Sequence, residues 1–516
     1  MPRLTRREFV TRVYAGATVI GLSHLLDPTK ALAATPDTVE AMVAEHAPKT
    51  GGILTYGPTY PNWALGQSNR GEHRFDWLDL LTRSVWTGLT SVDEELELAS
   101  GSAPSDDFKV WGVTLREGVL VHDGTECTAA DVLSRYRFLL NAGNLRAHTV
   151  SAVEQTGPYT VRFFLDNGTP ALPHMLAEYR NMIMRANDSF DGIGTGPFRR
   201  IEIDTARQFR SERFEDYWTE QGPVLDELPG VIALGNAGIN GFRSGRMNAV
   251  FNIDPGRIEQ CEDAGGEVFA SPAGDQFSLV MPKNLGFPWN DVRVRKAMSL
   301  AIDRPAINRI VYNDPEGWTG NDCHMTGVNA EFVVRDVAQA RALLAEAGYA
   351  DGVTLPAMVV CPSFPEEPRL CPIVSESLAE AGVNLEVQER PCHGFTPFVN
   401  ALNQPIGRPR RNLVGPRSPN IDLSRASELN AGEPGGWAGE GVERSNALLA
   451  EAAAETDDDA RFGLCHEMQR IAQDEGLGLM IGGRRINIVH REGLNTLRAH
   501  TQLWQGPRYE TVCFDA

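Results

Sequence analysis

The sequence predicts an α/β protein with room for two large lobes, and three observations predict it. The chain has 516 residues, of which 42% are hydrophobic and 22% charged, the balance of an ordinary globular protein rather than a disordered or coiled-coil one. Short runs that alternate with period two are interleaved with runs of helical period. After Asn284 the alternation becomes helix, strand, helix, strand, which implies a second α/β lobe.

Taken in order, Gly51 to Gly57 reads as a first strand entering a loop that carries Tyr60 and Trp63. Asp76 to Leu89 has Trp77, Leu80, Leu81 and Val85 at helical spacing. The stretch from Trp111 to Leu140 is the first to become specific. Val113 to Leu115 alternates like a strand, Arg116-Glu117-Gly118 turns, Val119 to Val121 is a second short strand, and Asp123-Gly124 breaks it. Thr128 is placed as a helix N-cap with Asp131 in the reciprocal position, ahead of an apolar face of Val132, Leu133, Tyr136, Leu139 and Leu140. Its His122, Asp123, Glu126 and Cys127 could form an active-site cluster or could simply build a hairpin-to-helix unit.

Tyr159 to Leu165 is a strand, and Pro170 starts a helix at a position that tolerates proline. Gly192 to Phe198 is glycine-rich, but Pro197 removes a donor and the following residues alternate as a strand, so a phosphate loop is not expected. Val268 to Met281 is a further strand region. Asp291, Asp303 and Asp336 are each placed to cap a helix, and Gly348 to stop the third. Thr354 to Val360, Val374 to Ala381 and Asn384 to Gln388 then read as strand, helix and strand. Residues 403–440 are rich in Pro, Gly and Asn and read as a long loop, a kind that is often functional. Asp457 to Ile471 is a last long helix, followed by strand-like Ile486 to Val489.

The formal charge of −20 disfavours nucleic acid or an anionic membrane as partner. Thr5-Arg6-Arg7-Glu8-Phe9-Val10 resembles a twin-arginine export motif, followed by a mild apolar run and by Ala31-Leu32-Ala33, a small-x-small cleavage site. Residues 1–33 carry five basic and two acidic residues, so their removal takes the charge to −23. Eight cysteines are present, the first at 127, which leaves none at the cut for a lipid anchor. A protein exported folded has to be stable without disulfides, and Cys361 and Cys371, which flank a Pro-rich loop, form the one pair worth noting.

Several stretches in the same order are similar to the extracytoplasmic solute-binding proteins of ABC importers, in the family 5 group that takes peptides, nickel and opines. They are GGILTYG (51–57), LREGVLVHDGTECTAADV (115–132), GTGPFRRIEI (194–203), NDVRVRKAMSLAIDRPAI (290–307), ARALLAEAGYADG (340–352) and ETDDDARFGLCHEMQRIAQDEG (455–476). Cys127 stands where the family has Leu, Ile or Val, which fits a packed thiol. The resemblance implies a two-lobed periplasmic binding protein of type II, cluster C-like, with an extra subdomain in the first lobe. It places a signal at 1–33, a linker at 34–49, lobe I at 50–283 with 488–516, the extra subdomain at about 75–185, and lobe II at 284–487. It further implies a monomer that closes on a small peptide-like ligand, docks on the permease subunits of an importer, and meets the twin-arginine translocase during export.

The ligand residues expected on this basis are spread over loops. Tyr60 and Trp63 could stack on ligand groups or pack in the core. Asp322 lies where the family chain passes near the cleft, or serves a turn. Arg417 could clamp a carboxylate with two parallel hydrogen bonds, or bridge lobes. Asn420 or Asp422 stands near the place of the family's Asp that pairs with a peptide amino group. Trp437 is an aromatic in a Gly-rich loop.

No cofactor or metal is expected. Cys323-His324, Cys392-His393 and Cys465-His466 are adjacent pairs whose side chains diverge, and His466-Glu467-Met468-Gln469-Arg470 lacks the second His of a zinc-protease helix. The competing functions are a binding protein for a metal chelate, opine or sugar, and a twin-arginine-exported cofactor enzyme. For the enzyme no phosphate loop with Gly-Lys-Ser/Thr, no GxSxG and no CxxC is present.

Overall fold

The computed structural model describes residues 48–49, 51–58, 96–141, 150–170, 172–176, 182–183, 193–204, 208–219, 222–231, 233, 235–251, 253, 255–280, 288–312, 333–360, 367–389, 408–414, 440–476, 479–495, 509 and 512–515. Its strands are β1 (Pro48–Lys49), β2 (Tyr56–Pro58), β3 (Ala99–Pro104), β4 (Val110–Leu115), β5 (Val150–Gly157), β6 (Thr160–Leu165), β7 (Phe198–Asp204), β8 (Gln208–Arg213), β9 (Gly230–Val231) and β10 (Ala249–Phe251). They continue with β11 (Gly266–Val280), β12 (Val353–Val360), β13 (Val383–Glu389), β14 (Arg408–Val414), β15 (Leu479–Arg491), β16 (Leu494–Asn495) and β17 (Cys513–Asp515).

A four-stranded antiparallel sheet, ordered β3-β4-β6-β5, is formed by neighbours in sequence. Its apolar face carries Trp111, Val113, Val153, Val161 and Phe163, and the helix Ala129–Asn141 closes over it with Val132, Tyr136 and Leu139, all buried. One half of the expected capping box forms, the Thr128 amide donating to Asp131 Oδ2 at 2.9 Å, while the Asp131 amide donates to the Thr128 backbone carbonyl rather than to its hydroxyl. The expected strand Val119–Val121 reduces to a single bridge, Leu120 to Glu126. Its backbone bonds stay within a tight turn, the Val121 amide donating to the Thr125 carbonyl and the Cys127 amide to the Val119 carbonyl, while the next residue, His122, donates to the Gly194 carbonyl.

A second core is built on the helices Val292–Ala301, Arg304–Val311, Val337–Glu346 and Glu367–Ala381 against the parallel pair β12-β13. Three of these helices start where an aspartate accepts a backbone N–H in the first turn: Asp291 from Arg293, Asp303 from Ala306 and Asp336 from Gln339. Gly348 and Gly382, at φ +91° and +95°, follow the ends of two of them, the left-handed conformation that lets a chain leave a helix without a Cβ penalty. Cys371 is buried inside the helix Glu367–Ala381, while Cys361 falls outside the described residues.

The largest element is an eight-stranded mixed sheet, ordered β14-β11-β15-β10-β2-β9-β8-β7. Two glycines let its centre close. A Cβ on Gly57 would sit 1.9 Å from the Val231 carbonyl oxygen, and one on Gly230 would sit 1.7 Å from the Phe209 ring. Phe209, Tyr56, Phe251 and Tyr509 form the aromatic core beneath, with Tyr56 edge-on to both Phe209 and Phe251. Burial pushes the ionisation of the Tyr56 and Tyr509 hydroxyls well above the ordinary tyrosine value, so both stay neutral.

Two further elements differ from the sequence reading. Strand β14 lies inside the expected loop 403–440, and the helix Glu440–Ala454 pairs with Asp458–Asp474 to make a helical hairpin. Leu448, Ala452, Cys465 and Met468 of that hairpin are buried in the core of the four-stranded sheet.

The close approach at the sheet centre makes a testable distinction among glycines. Gly230→Ala is expected to cost about 3 kcal/mol by overpacking against Phe209. Gly101→Ala, whose Cβ meets nothing within 4 Å, is expected to shift stability by less than about 0.5 kcal/mol. Urea unfolding of both variants checks the pair.

Candidate functional site

Strands β9, β2 and β10 are parallel neighbours, and their last described residues on the carboxyl side are Val231, Pro58 and Phe251. In α/β sheets ligands bind outside the carboxyl ends of such strands, because the loops that leave them diverge and open a crevice. Beyond that edge the sheet continues, among the described residues, only through the long antiparallel pair β11–β15 and through β14 on its outer side. Ile488 of β15 stands opposite both Phe251 of β10 and Phe269 of β11, which sets the level of the last described residue of β10.

One residue past that level the ladder is interrupted. Ala270 pairs with Asn487 and the next pair is Gly274 with Arg485, so Ser271, Pro272 and Ala273 face the single residue Ile486. Proline has no N–H to give a ladder, so Pro272 favours the interruption. A second irregularity follows between Phe277 and Ser278. Bulges bend and twist a strand locally and leave it fewer hydrogen bonds to resist bending. On one side of the interruption β15 contributes Ile488 and Val489 to the cores beside the aromatic cluster. On the other it contributes Leu479 and Ile481 to the core of the second helical layer. One pair of strands thus contributes to separate packed cores, and its ladder is interrupted between them.

The near side of this crossing is pinned by side chains. Arg491 donates to the carbonyls of Ala264 and Phe242, and its guanidinium lies 4.2 Å from the Phe242 ring centroid. His490 is buried, donates from Nδ1 to the Arg491 carbonyl at 3.0 Å, and has Nε2 3.9 Å from Glu267 Oε2 on the neighbouring strand.

The polar cluster that the sequence singles out is used locally. The Gly194 amide donates to His122 Nδ1 at 3.2 Å, which leaves the proton on Nε2, 2.9 Å from the Gly196 carbonyl. Asp123 Oδ1 accepts from the Thr125 amide, and Glu126 Oε1 accepts from the Gly118 amide at 2.6 Å. Cys127 packs in the core. These groups fix a turn, and His122 ties that turn to the segment leading into β7. Among the described residues no group of three His, Cys, Asp or Glu is placed to hold a metal ion. Tyr60, Trp63, Asp322, Arg417, Asn420, Asp422 and Trp437 lie outside the described residues.

Comparison with known proteins matches residues 95–406 to the model of bacterial extracellular solute-binding proteins, family 5. The chain belongs to that family. It is 26% identical over 338 residues to the glutathione-binding protein GsiB of Escherichia coli K12, covering 60% of this chain and 64% of that protein's length. Its fold is similar to AgaA of A. tumefaciens R10 in complex with agropinic acid, with a TM-score of 0.73 at 19% identity over 90% of this chain and 99% of that one. It is similar also to DppA of Helicobacter pylori in complex with the peptide STSA, with a TM-score of 0.73 at 18% identity over 92% and 100% of the two chains. NikA of Brucella suis in complex with Fe(III)-EDTA gives 0.73 at 17% identity, over 90% and 100%. The fold is therefore the two-lobed one of periplasmic binding proteins.

What the residues alone do not reveal is the crossing itself. Its signal is faint: Pro272 inside a strand-like run, and Gly482-Gly483 in its partner. If the turn cluster is structural, Asp123→Ala and Glu126→Ala each lower the melting temperature by a few degrees and leave ligand stoichiometry unchanged. Calorimetry and native mass spectrometry on the same samples check this.

Proposed function

We infer that this protein is an extracytoplasmic receptor that holds a small solute in the crevice between its lobes and delivers it to the permease of an ABC importer. The observation that carries the reading is the interrupted β11–β15 crossing at the carboxyl edge of β2, β9 and β10. Family membership supports solute binding as the task. Such a crossing lets the lobes turn about a few residues while each keeps its own core, so a ligand that contacts both lobes stabilises the closed form by its differential affinity. No bond is made or broken in this cycle, and the relatives are binding proteins rather than enzymes.

A peptide or peptide-like ligand fits best, because GsiB is named for glutathione, itself a small peptide, and DppA holds the peptide STSA. A second class, an opine or a metal chelate, is favoured by AgaA with agropinic acid and NikA with Fe(III)-EDTA. Both classes carry carboxylates, which gives Arg417 its proposed role as a clamp. Tyr60, Trp63 and Trp437 are proposed to stack on the ligand, and Asp322 with Asn420 or Asp422 to meet its cationic or N–H groups.

Native mass spectrometry of protein purified from the periplasm names the ligand. A released small molecule supports the receptor, whereas a covalent or metal cofactor with turnover contradicts it. Arg417→Ala is expected to weaken binding about tenfold or more with the apo melting temperature nearly unchanged, and equal loss of apo stability would assign the residue a structural role. Export by the twin-arginine route is tested by replacing Arg6 and Arg7 with Lys. The precursor is expected to stay in the cytoplasm, and unaltered export would reject that route.

A further inference from the structure

The helical hairpin 440–474 is claimed by two units with contacts of different kinds. Toward the four-stranded sheet its contact is apolar: Leu448, Ala452, Cys465 and Met468 are buried in that core, with Leu449, Leu464 and Ile471 packed beside them. The core of the second helical layer includes no residue of 440–474 among those described, although both neighbours in sequence, the residues up to 385 and then Leu479 and Ile481, contribute to it. Among the described residues, the hairpin's carboxyl end meets that layer at Arg295.

Arg295 lies on the helix Val292–Ala301 and is 3% exposed. Its Nε donates to the Glu475 carbonyl at 2.7 Å, capping the end of the helix Asp458–Asp474, and Nη1 donates to the carbonyls of Trp289 and Asn290. The Glu475 carboxylate stands 3.7 Å from Nη2. Burial lowers the guanidinium pKa to about 10, against the attraction of Glu475 and Asp291, so the group remains charged at neutral pH. Gly476 follows at φ +60°, and a Cβ there would come within 2.9 Å of Arg295 Cβ.

We propose that the hairpin 440–474 moves as part of the four-stranded-sheet unit, and that Arg295 with Glu475 and Gly476 is a second joint, on which this unit turns against the helical layer. An apolar core spread over four buried side chains resists relative motion in every direction. A cap made by one guanidinium is directional and gives way at one point, and the close approach of Gly476 to Arg295 lets the chain reverse there. The joint precedes the start of β15 and lies apart from the interruption opposite Ile486, so closure in the sense proposed above would have two anchor points. The inference rests on that reading only for the use of the motion.

The test needs no ligand, so its failure is separate from failure of the receptor reading. In the full chain, spin labels on an inserted non-natural residue, rather than on cysteine, are placed at the exposed positions Glu154, Ala450 and Ala345, on the four-stranded sheet, the hairpin and the helical layer. Distances are compared between the parent and Arg295→Met by pulsed electron resonance. The expected result is a 345–450 distribution that broadens about twofold while 154–450 stays as it was. A 345–450 distribution that does not change, or a 154–450 distribution that broadens with it, overturns the proposal. Gly476→Val, which crowds the same joint from the other side, is read by the same two distances where Arg295→Met does not fold.

Discussion

The backbone ladder between β11 and β15 is the constraint on which the rest of this structure depends. It runs from Gly266 opposite Arg491 to Leu279 opposite Leu479. At one end it shares cores with β10 and the helices that flank it, and at the other with the helical layer from residue 289 onward. Among the described residues, the crossing is the strand pair that continues past the level of Val231, Pro58 and Phe251.

The recognisable polar stretch is engaged in local structure. His122, Asp123 and Glu126 are consumed by backbone amides and carbonyls, and a histidine held between Gly194 and Gly196 has no ring nitrogen left for chemistry. The unit they build is a well-packed support whose helix is capped by Thr128 and Asp131.

What was legible in the sequence was mainly local. The helices capped by Asp291, Asp303, Asp336 and Asp457 were readable because an N-cap and its apolar face lie within a few residues of each other. Strand β14 was not, since RPRRNLV has no alternation and takes its form from pairing with β11, more than a hundred residues earlier. The helix Glu440–Ala454 follows a Gly-rich run that masks its start, although Leu448 and Ala452 stand one turn apart on its buried side. The β11–β15 register joins segments about two hundred residues apart, which no local pattern encodes. Of the candidate ligand residues, the sequence offered types and loops but no juxtaposition.

The central claim is that the crossing bends at its interruption while the ladder on either side stays intact. Hydrogen exchange of the amides in β11 and β15, with and without the ligand recovered from periplasmic protein, tests it most directly. The account predicts that ligand changes protection at Ser271, Ala273 and Ile486 and leaves Gly266–Ala270 and Gly274–Phe277 as they were. Protection that changes evenly along both strands, or nowhere along them when ligand binds, would contradict it.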